Sequence, residues 1–136
     1  MNGFPRTTHL IVALLRRKLP HIAAWDRQAT LRWVQWFCDH GLALVVRDGY
    51  KIHSAVLFRR ISATNEAEEP FMHESSGKIA YIEVCACREN NGMKPLFAFL
   101  RRYTQGCDVM CWCRSKFKNR PFTLNMEDAE RRFAYE

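Results

Sequence analysis

This sequence predicts an α/β fold, and three features in succession point to it. Ile79–Cys87 is an apolar run broken by a single acid, Glu83. Leu96–Tyr103 then spaces its apolar residues as a helix does, with Gly106 as its stop, and Val109–Cys113 is a second short apolar run. Runs that are apolar on both faces suit strands covered on both sides, and such strands are typically parallel. A parallel pair needs a crossover, which a helix from about Met93 to Tyr103 supplies. The polar loop Arg88-Glu89-Asn90-Asn91-Gly92-Met93-Lys94 opens that helix. It offers unpaired backbone N–H groups at the positive end of the helix dipole, where phosphate can sit.

The elements upstream follow in order. Thr7 or Thr8 is the expected cap of a first helix whose buried stripe is Leu10, Ile11, Leu14 and Leu15. Pro20 ends that helix or kinks it. Asp26 caps a second helix running to about His40 and closed by Gly41, with Ala29, Trp33, Trp36 and Phe37 as its apolar face. An aromatic stripe at this spacing is read as core rather than as a ligand platform. Leu42–Arg47, Asp48-Gly49 and Tyr50–Ile61 form a hairpin, with Asp48-Gly49 as the two-residue turn. Along the second arm Tyr50, Ile52, Ser54, Val56 and Phe58 alternate with Lys51, His53, Ala55, Leu57 and Arg59. Ser62–Lys78 is polar, acidic and rich in turn formers, and reads as a long surface loop. After Cys113 comes a basic tail, residues 114–136, with a late strand over Phe122–Met126 and a short helix over Glu127–Phe133.

The 136 residues suffice for one domain with a sizeable core, expected to span the whole chain. With 48% apolar and 26% charged residues the balance is that of an ordinary soluble globular protein, which argues against a disordered chain. No apolar run reaches the length of a membrane span. Leu10–Leu15 is too short for a signal peptide and runs into Arg16-Arg17-Lys18, the wrong order of charge, so a cytoplasmic location is expected. In that setting the cysteines are read as reduced core thiols. The net charge of +7 is uneven: residues 1–60 hold ten basic against three acidic residues, residues 61–93 two against six, and residues 94–136 nine against five. Paired bases such as Arg16-Arg17 and Arg101-Arg102 suit solvated faces, and a phosphate or nucleic-acid contact is the alternative. Arg114, Lys116, Phe117, Lys118 and Arg120 interleave bases with an aromatic, a pattern compatible with nucleic acid or with a charge-protected sheet edge.

Glu83 is the sharpest candidate for chemistry. A carboxylate inside an apolar strand is costly unless it is paired or faces a wet cleft. Burial raises its pKa, which suits a general base that takes a proton from an amine. The competing reading is a salt-bridged glutamate with Arg88 or Lys51 as its partner. Cys85, Cys87, Cys111 and Cys113 form two Cys-x-Cys pairs, each on one face of its strand. Four converging thiols could hold zinc, but structural zinc favours Cys-x₂₋₄-Cys on turns, so buried thiols without metal are expected.

The order helix, helix, hairpin, strand, glycine-containing loop, helix, strand resembles the GNAT superfamily of N-acetyltransferases over about residues 7–115. The family's loop signature is Gln/Arg, two residues, Gly, one residue, Gly or Ala. Arg88 and Gly92 resemble its ends but stand one residue too far apart, and Lys94 occupies the place of a second small residue. The resemblance implies two helices, an antiparallel hairpin and then parallel strands that splay apart. It implies acyl transfer from acetyl-CoA or another acyl-CoA to an amine-bearing substrate, with Glu83 as the catalytic base. The coenzyme A would be held by Val84, Cys85, Cys87, Arg88, Asn91, Gly92, Met93 and Lys94. The family often carries a general-acid Tyr after the splayed strand, and Arg114–Arg120 contains none. A catalytically silent GNAT-like protein is therefore the alternative, one that binds a protein partner as a phage virion component does. A small basic nucleic-acid-binding protein is the second alternative.

Overall fold

The computed structural model describes residues 3–88, 93–113 and 121–125. Three helices come first: α1 (Arg6–Lys18), α2 (Pro20–Ala23) and α3 (Arg27–Asp39). Strands β1 (Ala43–Asp48), β2 (Lys51–Ile61) and β3 (Ile79–Cys87) follow, then α4 (Met93–Tyr103), β4 (Val109–Cys113) and β5 (Pro121–Asn125). The strands form one sheet in chain order, β1-β2-β3-β4-β5. β1–β2, β2–β3 and β4–β5 are antiparallel. β3–β4 is parallel, with α4 as its crossover, as the two apolar runs around a helical spacing predict.

The first helix starts earlier than expected. Pro5 occupies the cap position, so Thr7 and Thr8 lie inside α1 and no side chain caps it. Thr8 is instead buried, its Oγ1 donating to Gln35 Oε1 of α3 at 2.5 Å. Ile11, Val12, Leu14 and Leu15 are the buried stripe, and Leu10 lies at its margin. Pro20 does more than stop α1. It takes the first turn of the short helix α2, where its missing N–H costs nothing, so three helices rather than two precede the hairpin.

Asp26 caps α3 as expected, accepting from Ala29 N–H at 2.9 Å. Leu42 N–H reaches Phe37 O at 2.8 Å and Gly41 N–H reaches Cys38 O at 3.2 Å, a Schellman closure with Gly41 at φ +68°. The buried face of α3 is Thr30, Leu31, Val34 and Phe37. Trp33 and Trp36 are half-buried at its margin and Ala29 is exposed, so the apolar face is turned from the one expected. The aromatic rings dominate the pattern by size, but the smaller Leu31 and Val34 point more directly inward.

The hairpin turn also falls one residue later. Asp48 pairs with Lys51, which leaves Gly49 and Tyr50 as the two central residues. Gly49 has φ +63° and Tyr50 does not have a positive φ, the pattern of a turn that needs glycine only at its first central position. Tyr50 is therefore exposed at the tip instead of starting the second arm.

β2 lies between β1 and β3, and Ser54–Arg59 are buried without interruption. Both of its faces are covered. α1 packs on α3 and against β2 and β3, while α4 packs against β1 and β2. Leu96 and Leu100, four residues apart on α4, are fully buried. The segment 62–78 carries a short 3₁₀ turn, Thr64–Glu68, and remains mostly exposed. Its end is pinned at Gly77, where an added Cβ would stand 2.7 Å from Ile61 O and 2.8 Å from Ile61 C and N. The expected basic segment 114–120 and terminal helix 127–133 lie outside the described residues. Gly77→Ala should destabilise the fold by about 1–3 kcal/mol through overpacking against backbone. The urea midpoint measures this, and an unchanged midpoint would contradict the close approach at Ile61.

Candidate functional site

Leu57 of β2 stands opposite Val84 of β3, but its neighbour Phe58 stands opposite Ile82. Glu83 is the extra residue, so β3 bulges there. Pairing with β4 runs only from Ile79 opposite Val109 to Ile82 opposite Trp112. Glu83 thus sits where β3 bulges against β2 and where its pairing with β4 ends among the described residues. From Glu83 to Cys87 the β4 side of β3 has no paired strand among the described residues. Among the described residues no strand covers that side, which leaves room for a ligand to extend the ladder there.

Glu83 lies two residues beyond Tyr81, which stands opposite Arg59, so strand alternation puts the acid on the face of Arg59. Arg59 is 1% exposed, one of the largest fully buried side chains. Its Nε and Nη2 donate to Glu83 Oε2 at 3.1 and 2.9 Å. Its Nη1 donates to the carbonyls of Glu69 at 2.7 Å and Met72 at 3.1 Å, and its guanidinium lies 5.1 Å from the Tyr81 ring centroid. The rigid fork of an arginine can serve such a divergent set, and the point charge of a lysine cannot. The Glu83 side chain keeps 22% exposure, and its Oε1 takes no hydrogen bond from a described residue. Burial pushes its pKa up. The charge and hydrogen bonds of Arg59 pull it back, and burial prevails.

The sequence pointed to Arg88 or Lys51 as the partner of Glu83, and the structure corrects this to Arg59. Arg88 follows β3 five positions along, roughly 16 Å away at ~3.3 Å per residue. The role of Arg59 escaped the sequence reading although a signal for it exists. A base inside Val56-Leu57-Phe58-Arg59-Arg60-Ile61 needs a buried acid, and Glu83 is the single acid of the neighbouring apolar run.

Through Arg59 the site also holds the strap formed by residues 62–78. Arg60 N–H donates to His73 Nδ1 at 3.1 Å and Arg60 O accepts from Glu74 N–H at 2.8 Å. A neutral His73 therefore carries its proton on Nε2, and burial, then His40 and Arg60, lowers its pKa. Phe71 stands in the strap at φ +61°, a backbone region bulky side chains avoid, with its ring 5.3 Å from Trp36. Edge-to-face contacts continue from Trp36 through Phe37 and Trp33 to Trp25.

The thiols are ill suited to nucleophilic work. Burial, then Cys87, pushes Cys85 up to about 12, and burial also raises Cys87. Cys85 pairs with Val56 and Cys87 with Ser54, on the face opposite Arg59 and Glu83. Cys111 stands opposite Tyr81, four positions short of Cys85. The two Cys-x-Cys pairs therefore lie at different levels of the sheet and do not converge. Among the described residues no group of three or more His, Cys, Asp or Glu side chains could hold a metal ion.

Of the expected cofactor residues, Val84, Cys85 and Cys87 lie on the open stretch of β3. Arg88 follows it, its N–H donating to His53 O at 2.8 Å and its carbonyl accepting from Lys18 Nζ at 3.0 Å. Met93 and Lys94 begin α4, and Asn91 and Gly92 lie outside the described residues. Arg88 also lines an open cleft of about 330 Å³ with Arg17, Lys18, Asp48, Lys51 and His53.

N-terminal helices, antiparallel strands and then a parallel pair joined by a helix make a GNAT-like fold, and solved structures agree. The chain is similar to the loading GNATL domain of CurA from Lyngbya majuscula, with TM-score 0.62 and 15% identity over 84% of this chain and 64% of that one. It is similar also to the GphF GNAT-like decarboxylase in complex with isobutyryl-CoA, with TM-score 0.62 and 18% identity over 85% of this chain and 66% of that one. This chain thus spans just under two thirds of the length of both proteins. No family model matches the sequence, and no curated protein matches it. Among the described residues no helix is long and apolar enough to cross a membrane.

The upward shift of Glu83 has a sign in stability. A carboxyl whose folded pKa is raised contributes stability that is fully present below its unfolded pKa and is lost as pH rises through the folded value. The stability of the wild type relative to Glu83→Gln should therefore be greatest in acid and fall as pH climbs past the ordinary 4.5. Urea midpoints of both proteins across acid to neutral pH read this. A difference that grows with pH would show that the attraction of Arg59 outweighs burial.

Proposed function

We propose that the protein is an acyl-CoA-dependent N-acyltransferase. The observation that carries the reading is the position of Glu83, at the bulge where the β4 side of β3 opens. Arg59 occupies Oε2 and leaves Oε1 without a hydrogen bond from a described residue. Oε1 takes a proton from the amine, whose nitrogen attacks the thioester carbonyl carbon. The carbon–sulfur bond then breaks, and the departing thiolate takes a proton from solvent. A strand edge with no paired neighbour among the described residues suits the amides of a pantetheine arm, which can extend the ladder. N–H groups of Val84–Cys87 on that edge also suit the oxyanion of the tetrahedral intermediate. Met93 and Lys94, which begin α4, and Asn91 and Gly92, which precede them in sequence, would offer N–H groups to the pyrophosphate. The likeness to a domain solved with isobutyryl-CoA supports an acyl-CoA ligand through fold alone.

A second reading rests on the same ion pair. If Arg59–Glu83 serves only to hold the strap, the protein is a silent GNAT-like binding protein for a partner. Amine acylation followed by mass spectrometry, which also registers any loss of carbon dioxide from the acyl group, separates the two. Acetyl-CoA at one hundred times its dissociation constant should stabilise the native state by about 2.7 kcal/mol. Glu83→Gln should keep that stabilisation and lose about 10²–10⁴-fold in turnover. Gly92→Val should abolish the stabilisation without unfolding the protein. Full turnover in Glu83→Gln would remove Glu83 as the base. An unchanged melting temperature with millimolar acetyl-CoA would favour the silent reading.

A further inference from the structure

The cleft at the other end of the sheet has no part in the chemistry at Glu83. Its lining comes from separate parts of the chain: Arg17 and Lys18 from the last turn of α1, Asp48 and Lys51 from either side of the hairpin turn, His53 from β2, and Arg88 from the end of β3. Two hydrogen bonds clamp these elements together, Lys18 Nζ to Arg88 O at 3.0 Å and Arg88 N–H to His53 O at 2.8 Å. The cleft is therefore a built feature and not a chance gap between side chains.

Its charge is unbalanced. Arg17, Lys18, Lys51 and Arg88 face one carboxylate, Asp48, and among the described residues none of the four forms an ion pair with it. The negative end of the α1 dipole points the same way, and Arg16, Arg17 and Lys18 in the last turn answer it. That accounts for Arg17 and Lys18 but not for Lys51 and Arg88, which arrive from other elements. Converging cations that outnumber the acids among the described lining residues repel one another, and a bound anion relieves the repulsion. Arginine forks and lysine point charges together match the oxygens of a phosphate group. The excess of positive charge fits a dianion better than a single carboxylate.

We infer that this cleft is a binding site for a phosphate monoester, built from residues other than Glu83 and Arg59. Two small-molecule sources share this chemistry: the 3′-phosphate of coenzyme A, and a phosphate carried by another substrate. Adenosine 3′,5′-bisphosphate and inorganic phosphate probe the site without any thioester. Calorimetry should find that adenosine 3′,5′-bisphosphate binds the wild type and that Lys51→Glu weakens it about tenfold or more, while Lys51→Arg retains it. Lys51 is exposed, so the melting temperature of ligand-free Lys51→Glu should match that of the wild type. If coenzyme A binds about tenfold more tightly than dephospho-coenzyme A, and Lys51→Glu erases the gap, the cofactor supplies the phosphate. If the two bind alike while inorganic phosphate still competes in a Lys51-dependent way, a different substrate supplies it. Binding that is equal in wild type and Lys51→Glu overturns the site. So does the failure of both probes to bind the wild type at millimolar concentration.

Discussion

One buried ion pair organises the middle of this molecule. Arg59 and Glu83 sit on neighbouring strands, with the arginine excluded from water and the carboxylate half-buried. A charge in that position is tolerable only while its partner is present. Removing one member of such a pair typically costs about 3–5 kcal/mol, because the other is left uncompensated. The same guanidinium also satisfies two carbonyls of the 62–78 strap. Loss of the arginine would release the strap and strand the carboxylate together. Glu83 shares the face of Arg59 because it lies two residues from Tyr81, and the bulge then turns Cys85 and Cys87 to the opposite face.

The sheet has two chemically different zones along β3. A carboxylate with a raised pKa stands midway, and a cluster of cations gathers where the strand ends. Residues 84–87 separate them, and they have no β4 partner among the described residues. At ~3.3 Å per residue the separation is of the order of 16 Å. That is the scale of an extended ligand with a reactive group at one end and charge at the other. The strand is thus both scaffold and ruler, because its rise per residue fixes the spacing between the zones.

Much of the fold is legible in the amino-acid sequence. Two apolar runs flanking a helical spacing specify the parallel pair and its crossover, down to Met93 and Tyr103 as the ends of α4, because burial on both faces leaves no polar alternation to mislead. Asp26 and Gly41 mark α3 through local cap chemistry. Sequence and structure differ where local signals compete. Asp48-Gly49 resembles a turn, but the register of β1 against β2 moves the turn to Gly49-Tyr50. Trp33 and Trp36 dominate the helical pattern by size, while Leu31 and Val34 hold the core. In the site, the unusual acid is visible as a residue, but its partner is not. Pairing is decided by cross-strand register and by a bulge, and neither is written in the local sequence. The cations of the cleft come from three separate parts of the chain, so only the assembled sheet brings them together.

The aromatic ladder on α3 gives the molecule an optical property. Phe71 ends a row of edge-to-face rings that runs through Trp36, Phe37 and Trp33 to Trp25. Phe71 belongs to the strap that Arg59 tethers to Glu83, whereas the other rings belong to the helical layer. A shift of the strap therefore changes the surroundings of the Trp36 indole before it disturbs the indoles further along the row. Indole emission is sensitive to the packing and wetness of its surroundings, so the protein carries a native gauge of the distance between strap and helix, with no dye attached.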